Sequence, residues 1–238
     1  MKTKKLLLLS LVAFAFCQIS PAQTNPPEVA VAHTNTAIVP VKHVGKRTDD
    51  VLQRAKQNQG ECDIAFIGDS ITQGWEGPGK NVWTKYYGSR KCLNFGVGGD
   101  RTQHVLWRFE QGQLDGIKPK AAVVMIGTNN SNKDDNSEAE ILEGVEAIVS
   151  QIRRRLPDTK ILLLGIFPRG KTFSAQRGKI LQINEALEKL DDGKSIFYVD
   201  IGAKLIEADG SISKEMMRDA CIRANAATKS GPQPSSRS

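Results

Sequence analysis

The chain has 238 residues and 33 Lys+Arg against 26 Asp+Glu, a formal charge of +7. That length suits one domain with its own core, and 39% hydrophobic with 25% charged residues sets aside disorder and membrane-spanning architectures. The positive balance raises nucleic acid or an anionic surface as a partner, a question that the placement of the charges decides.

Residues 1–22 read as a secretory signal peptide. Lys2, Lys4 and Lys5 form a basic start, Leu6 to Phe16 an apolar run, and Ser20-Pro21-Ala22 a small-residue cleavage site. Secretion or periplasmic residence is therefore expected. The apolar run is too short to cross a bilayer as a helix, so no stable membrane insertion is expected. Cys17 invites a lipoprotein reading, which Phe16 disfavours because it is bulky for the position before a lipidated cysteine. Residues 23–46 mix Pro, Thr and Val without helical period and read as an extended leader or linker. Export permits disulfides, and Cys62 and Cys92 each open a predicted strand. They are expected to form a disulfide or to stand as two buried thiols, and Cys221 is then the odd cysteine.

From residue 47 to 219 short apolar runs alternate with longer amphipathic ones. Predicted strands are 63–68, 92–96, 121–127, 160–167 and 195–200, with helices at about 47–58, 80–88, 102–112, 137–156 and 174–191. The longest helix opens with Ser137 and Glu140, spaced as a capping box, and closes on Arg153, Arg154, Arg155 and then Pro157. Strands separated by helices imply right-handed crossovers and a parallel sheet covered on both faces, a three-layer α/β domain. In such sheets sites collect at the carboxyl ends of the strands. Three consecutive strands end in Gly68-Asp69-Ser70, Gly96-Val97-Gly98-Gly99-Asp100 and Gly127-Thr128-Asn129-Asn130.

A serine at a strand-to-helix turn presents its hydroxyl at the sheet edge, with its own N–H free at the helix start. Acyl transfer through serine also needs a base and donors for the developing oxyanion. Gly99 lets a backbone N–H approach closely, and the Asn129 amide offers a second donor. Taken singly, each motif is equally an ordinary turn, and the glycines also suit a phosphate. At three consecutive strand ends they point jointly to a hydrolase.

FIGDSITQGW, NFGVGGDRTQHVLWR and VVMIGTNN resemble blocks I, II and III of the SGNH (GDSL) hydrolases. Within that superfamily the chain is most similar to the platelet-activating-factor acetylhydrolase catalytic subunits and their bacterial relatives. The resemblance covers about residues 45–219. It implies a flavodoxin-like five-stranded parallel sheet of order 2-1-3-4-5 and hydrolysis of an acetyl or short-acyl ester through an acyl-enzyme, without cofactor or metal. It further implies Ser70 as nucleophile, an oxyanion hole of Ser70 N–H, Gly99 N–H and the Asn129 side chain, and Asp219 as the triad aspartate. The triad histidine should stand three residues after Asp219, where this chain has Ile222. His33 and His43 lie in the leader, and His104 falls on a predicted helix, where a packing or surface role is expected.

After Asp219 the sequence ACIRANAATKSGPQPSSRS has no helical period, although the fold needs a last helix. Permitted codons for Ala220 to Pro234, read from the third base, give LHPRQRGYEVWAAA. That text restores a histidine three residues on, then Gly-Tyr and a Trp-containing helix. Residues 220–238 are thus read as a frameshift product, with the final helix missing or disordered.

The leading function is a secreted serine ester hydrolase, its activity in question for want of the histidine, acting on a small-molecule or carbohydrate ester, with a short-acyl lipid as another substrate class. The alternative is a catalytically dead ligand-binding relic. A nucleotide binder is disfavoured, because neither an acidic ribose partner nor Gly-Lys-Ser/Thr accompanies the glycines. Trp75, Trp83 and Trp107 are candidates for a sugar or lipid site, with core packing expected for at least two of them. Lys2, Lys4 and Lys5, and likewise Arg223, Lys229 and Arg237, lie in end segments without acids, so residues 23–219 carry only +1. Nucleic acid loses its support. Sequencing the gene across codons 215–238 is expected to show the frame displaced by one nucleotide near codon 220. Codons incompatible with that shifted text would make the tail authentic.

Overall fold

The computed structural model describes residues 33–60, 62–133, 135–213, 217–218 and 221–222. The chain divides into Met1–Thr34, of which only His33 and Thr34 are described, and the unit Asn35–Ser238 treated below. The signal-peptide reading of residues 1–22 lies outside the described residues.

Five parallel strands, β1 (Ile64–Gly68), β2 (Cys92–Asn94), β3 (Ala121–Met125), β4 (Lys160–Leu164) and β5 (Ile196–Val199), form one sheet of order β2-β1-β3-β4-β5. Helices cover both faces, as the alternating pattern implied. They are α1 (Lys46–Gln57), the short α2 (Ser70–Gln73), α3 (Lys80–Tyr87), α4 (Thr102–Glu110), α5 (Glu138–Arg155) and α6 (Ala175–Leu187). β1 is apolar throughout and its last four residues are buried, because it lies inside the sheet with β2 on one side and β3 on the other.

The capping box of α5 is present. The Ser137 hydroxyl accepts from the Glu140 N–H at 3.3 Å, and the Glu140 carboxylate accepts from the Ser137 N–H at 2.8 Å. At the other end Arg153 donates to the carbonyls of Pro157 and Thr159. Ile141, Val145, Ile148, Val149 and Ile152 form the buried stripe of this helix. Gly144 lies among them because a Cβ there would stand 2.6 Å from the Thr102 hydroxyl, so α5 rests directly on the start of α4.

The segment read as a leader enters the packed unit from Asn35 onward. Asn35 caps a 3-10 turn at Thr36–Ile38, Ala37 is fully buried, and the Ala37 carbonyl accepts from the Thr102 hydroxyl at 2.7 Å. A two-stranded antiparallel ladder pairs β6 (Met217–Arg218) with β7 (Cys221–Ile222). Asp219 and residues 223–238 lie outside the described residues.

Of the two alternatives for Cys62 and Cys92, the disulfide is not formed and both thiols are free. The register explains it: Cys92 stands opposite Ile64, two residues beyond Cys62. Cys62 is buried and Cys92 half-buried. Burial pushes the Cys62 thiol up to about 12, so it stays protonated and unreactive. Alkylation of the denatured, unreduced protein should label both Cys62 and Cys92. In the folded protein Cys62 should react slowest, and a linked Cys62–Cys92 peptide would contradict the register.

Candidate active site

The turn after β1 is built by exclusion of side-chain volume. A Cβ on Gly68 would stand 2.2 Å from the Thr72 hydroxyl and 2.4 Å from the Met125 carbonyl, so α2 folds directly onto the strand end. Asp69 is the N-cap of α2, accepting from the Ile71 N–H at 2.9 Å. Ser70 follows as the first helical residue and is half-buried.

The loop from β2 to α4 is stitched onto the same turn. Asn94 donates to the Thr72 carbonyl at 2.9 Å and accepts from the Gly96 N–H at 2.8 Å. A Cβ on Gly96 would lie 2.2 Å from the Gln73 nitrogen, so this backbone too admits no side chain. The Gly98 N–H donates to the Gln73 side chain at 2.6 Å, and a Cβ on Gly98 would be 3.8 Å from the Ser70 Cβ. Gly99 adopts φ +80°, the left-handed conformation that favours glycine. Among the described residues, neither the Ser70 nor the Gly99 N–H donates to a protein acceptor, whereas that of Gly98 is taken.

The third strand end joins through Asn129, whose side-chain amide donates to the Asp100 carbonyl at 2.8 Å and keeps a second hydrogen. Asn130, buried completely, accepts from the Thr102 N–H at 3.0 Å and reaches the Thr102, Gln103 and Asn136 side chains. Asn129 is thus half-exposed at the site while its neighbour fastens the loop to α4. Ser70 stands at the turn after β1, Gly99 in the loop after β2 and Asn129 in the loop after β3, joined to the Asp100 carbonyl. Asp219, the fourth residue of that set, lies outside the described residues.

Beneath the loop lies a charge network that the sequence reading missed. The Asp100 carboxylate is fully buried between the Arg108 guanidinium, which is also fully buried, and His43 Nδ1 at 2.8 Å. Arg108 further donates to the Gln113 side chain at 2.7 Å. An arginine inside the apolar run VLWRF was the available signal for a buried partner, whereas His43 in a Pro/Val segment carried none. His104 has the packing role expected for it. Its Nδ1 accepts from the Arg101 N–H at 3.1 Å, its ring lies 4.7 Å from that of His43, and burial pulls its titration down to about 4.

The tryptophans divide between two environments. Trp75 and Trp83 pack with Phe66 and Tyr87, ring centroids 4.9–6.0 Å apart. Trp107 lies under the Lys42 ammonium, 5.5 Å from its centroid.

Comparison with known proteins agrees with the fold. The model of the GDSL-like lipase/acylhydrolase family matches residues 66–228. Platelet-activating factor acetylhydrolase IB subunit alpha2 of Rattus norvegicus is 39% identical over 160 residues, 67% of this chain and 68% of that protein. The Drosophila melanogaster subunit beta homolog of the same enzyme is 39% identical over 173 residues, 72% of this chain and 75% of that protein. A solved structure from Streptococcus pneumonia, named for platelet activating factor, superimposes with a TM-score of 0.63 at 26% identity, covering 76% of this chain and 87% of that one. These relationships correct the expected secreted or periplasmic location. Kinship with the acetylhydrolase IB subunits points away from it, and a short apolar run behind three lysines is a compositional signal that does not outweigh that kinship.

Asp69 supplies a test of the site's electrostatics. Burial pushes its carboxyl up to about 7 from 3.8, the Asp100 charge adds to the effect, and one of its oxygens has no hydrogen-bond partner. A raised carboxyl means that the folded chain holds this proton more tightly than the unfolded one. Its contribution therefore favours folding at low pH and is lost as pH rises from about 4 to about 7. Asp69→Asn removes that titration. Thermal melts should show the parent falling behind the variant by several degrees between about pH 5 and pH 8. Parallel melting curves would place the proton elsewhere.

Proposed function

The chain belongs to the GDSL-like lipase/acylhydrolase family, and from that premise we propose that it hydrolyses acetyl or short-acyl esters with Ser70 as the nucleophile. Acylhydrolase chemistry on small-molecule esters is the family's function. The acetyl group comes first because the relatives of 39% identity are named acetylhydrolases.

One observation carries the assignment of roles. The Ser70 and Gly99 N–H groups have no protein acceptor among the described residues, and a Cβ on Gly98, the neighbour of Gly99, would stand 3.8 Å from the Ser70 Cβ. Two unspent donors beside a hydroxyl are what a tetrahedral oxyanion requires. The Asn129 amide, with one hydrogen committed to Asp100 and one uncommitted, is the third donor. Ser70 Oγ attacks the ester carbonyl, the oxyanion forms against these donors, the alcohol departs, and water releases the acid from the acyl-enzyme.

The donor set is formed before substrate arrives, because the Gln73–Gly98 and Asn129–Asp100 bonds fix both loops. Catalysis then needs little rearrangement at the oxyanion. Hydrolysis of 4-nitrophenyl acetate, butyrate and octanoate by the purified chain should fall with acyl length. Ser70→Ala should abolish it, and Asn129→Ala should lower turnover on the order of 10²–10³. Folded protein without Ser70-dependent hydrolysis would favour instead a ligand-binding relic, the reading that Ile222 in the histidine position supports.

A further inference from the structure

We propose that His43, Asp100 and His104 form a binding site for a divalent cation of the zinc type, an inference that does not depend on the Ser70 chemistry. The chain has three histidines, and two of them meet at one carboxylate although one comes from the segment before α1 and the other from α4. His43 Nδ1 stands 2.8 Å and His104 Nδ1 3.7 Å from the same Asp100 Oδ1. The ring centroids are 4.7 Å apart, and one ligand atom from each of the three residues lies within 4.8 Å of the others.

These separations suit one small ion. Zinc holds imidazole nitrogen and carboxylate oxygen at about 2.0–2.2 Å, which sets neighbouring ligands of a tetrahedral site about 3.4 Å apart. The 2.8 and 3.7 Å separations fall on either side of that value. Two imidazoles with one carboxylate are a donor set for zinc and its first-row neighbours, whereas magnesium and calcium take oxygen ligands. Asp100 is already aimed: Arg108 occupies Oδ2 and is itself held by Gln113 at 2.7 Å, so Oδ1 is the oxygen that faces both rings. The side chain of His43 is 32% exposed, which gives the ion an entry path and a water for its fourth position.

Binding exchanges two hydrogen bonds for the ion. The proton between His43 Nδ1 and Asp100 Oδ1 leaves to solvent, and both atoms turn their lone pairs to the metal. His104 Nδ1 gives up the Arg101 N–H, from which it accepts at 3.1 Å. That N–H belongs to the N-cap of α4, a position where backbone donors have no partner within the helix and go to water. The Arg108 charge on the same carboxylate opposes an incoming cation and limits the affinity. Asp100 follows Gly99 directly, so the bound ion cross-links the segment before α1 to the Gly99 loop and to α4.

The experiment takes the full chain without an affinity tag, clears it of metal with a chelator, and compares it with His43→Gln and His104→Gln. Glutamine keeps a donor for Asp100 at the first position and an acceptor for the Arg101 N–H at the second, and circular dichroism verifies the fold of each variant. Equilibrium dialysis against zinc is expected to load a single ion on each parent chain, with affinity falling about 10²-fold or more in either variant. The same zinc should raise the parent's melting temperature and leave both variants unmoved. In the parent alone, diethyl pyrocarbonate should modify His43 when metal is absent and spare it when zinc is present, a readout that needs no variant to fold. A parent that takes up no zinc, a variant that binds it as the parent does, or a His43 modified equally in both conditions overturns the site. None of these readouts involves ester turnover, so their failure leaves the Ser70 reading standing.

Discussion

Asp100 is a carboxylate with no exposure to water, and the arrangement of the loops after β2 and β3 depends on how its charge is met. A buried ion is costly unless it is paired and its remaining lone pairs are filled. Arg108 meets one oxygen and His43 the other, while the main-chain carbonyl of the same residue accepts from Asn129. One residue therefore joins the N-terminal segment, helix α4, the glycine turn and the β3 end. The pair does not have to be strongly stabilising in net terms to have this effect, because removing one partner would leave the other's charge buried and alone.

The parallel sheet, its strand order and nearly all helix positions were legible in the sequence. Apolar runs such as AAVVMIG and KILLLGIF, short and bounded by turn residues, read as strands, and Ser137 with Glu140 marks a helix start. Strand ends were overextended by one to three residues, and CLNFG and AAVVMIG in particular run on into the loops that carry the candidate site. Ser70, Gly99 and Asn129 were legible because each belongs to a local motif at a strand end. The contacts that position them were not. Asn94 to Thr72, Gln73 to Gly98 and His43 to Asp100 span 22, 25 and 57 residues, and no local spacing encodes a pairing of that range.

The choice between a disulfide and two free thiols was open in the sequence for a related reason. Two cysteines at the starts of neighbouring strands suggest proximity, but register decides whether they meet, and a shift of two residues carries Cys62 past its partner. The leader reading shows the same limit. Extended Pro- and Val-containing segments look alike whether they dangle or dock. Docking here is decided by Ala37 and Asn35 finding sites on α4 and α5, far along the chain.

The sheet topology also sets an order of assembly during synthesis. The first strand made is an inner one, its neighbour β2 follows, and β3 closes its other side by residue 125. Ser70, Gly99 and Asn129, together with the Asp100–Arg108 pair, are all specified within the first 130 residues, and the outer strand β5 is complete by residue 199. A chain emerging from the ribosome amino end first can thus lay down its Ser70 turn and the Gly99 and Asn129 loops before the codons beyond 219 are read. Whatever frame those codons are read in, they act on a sheet whose pairing information has already been delivered.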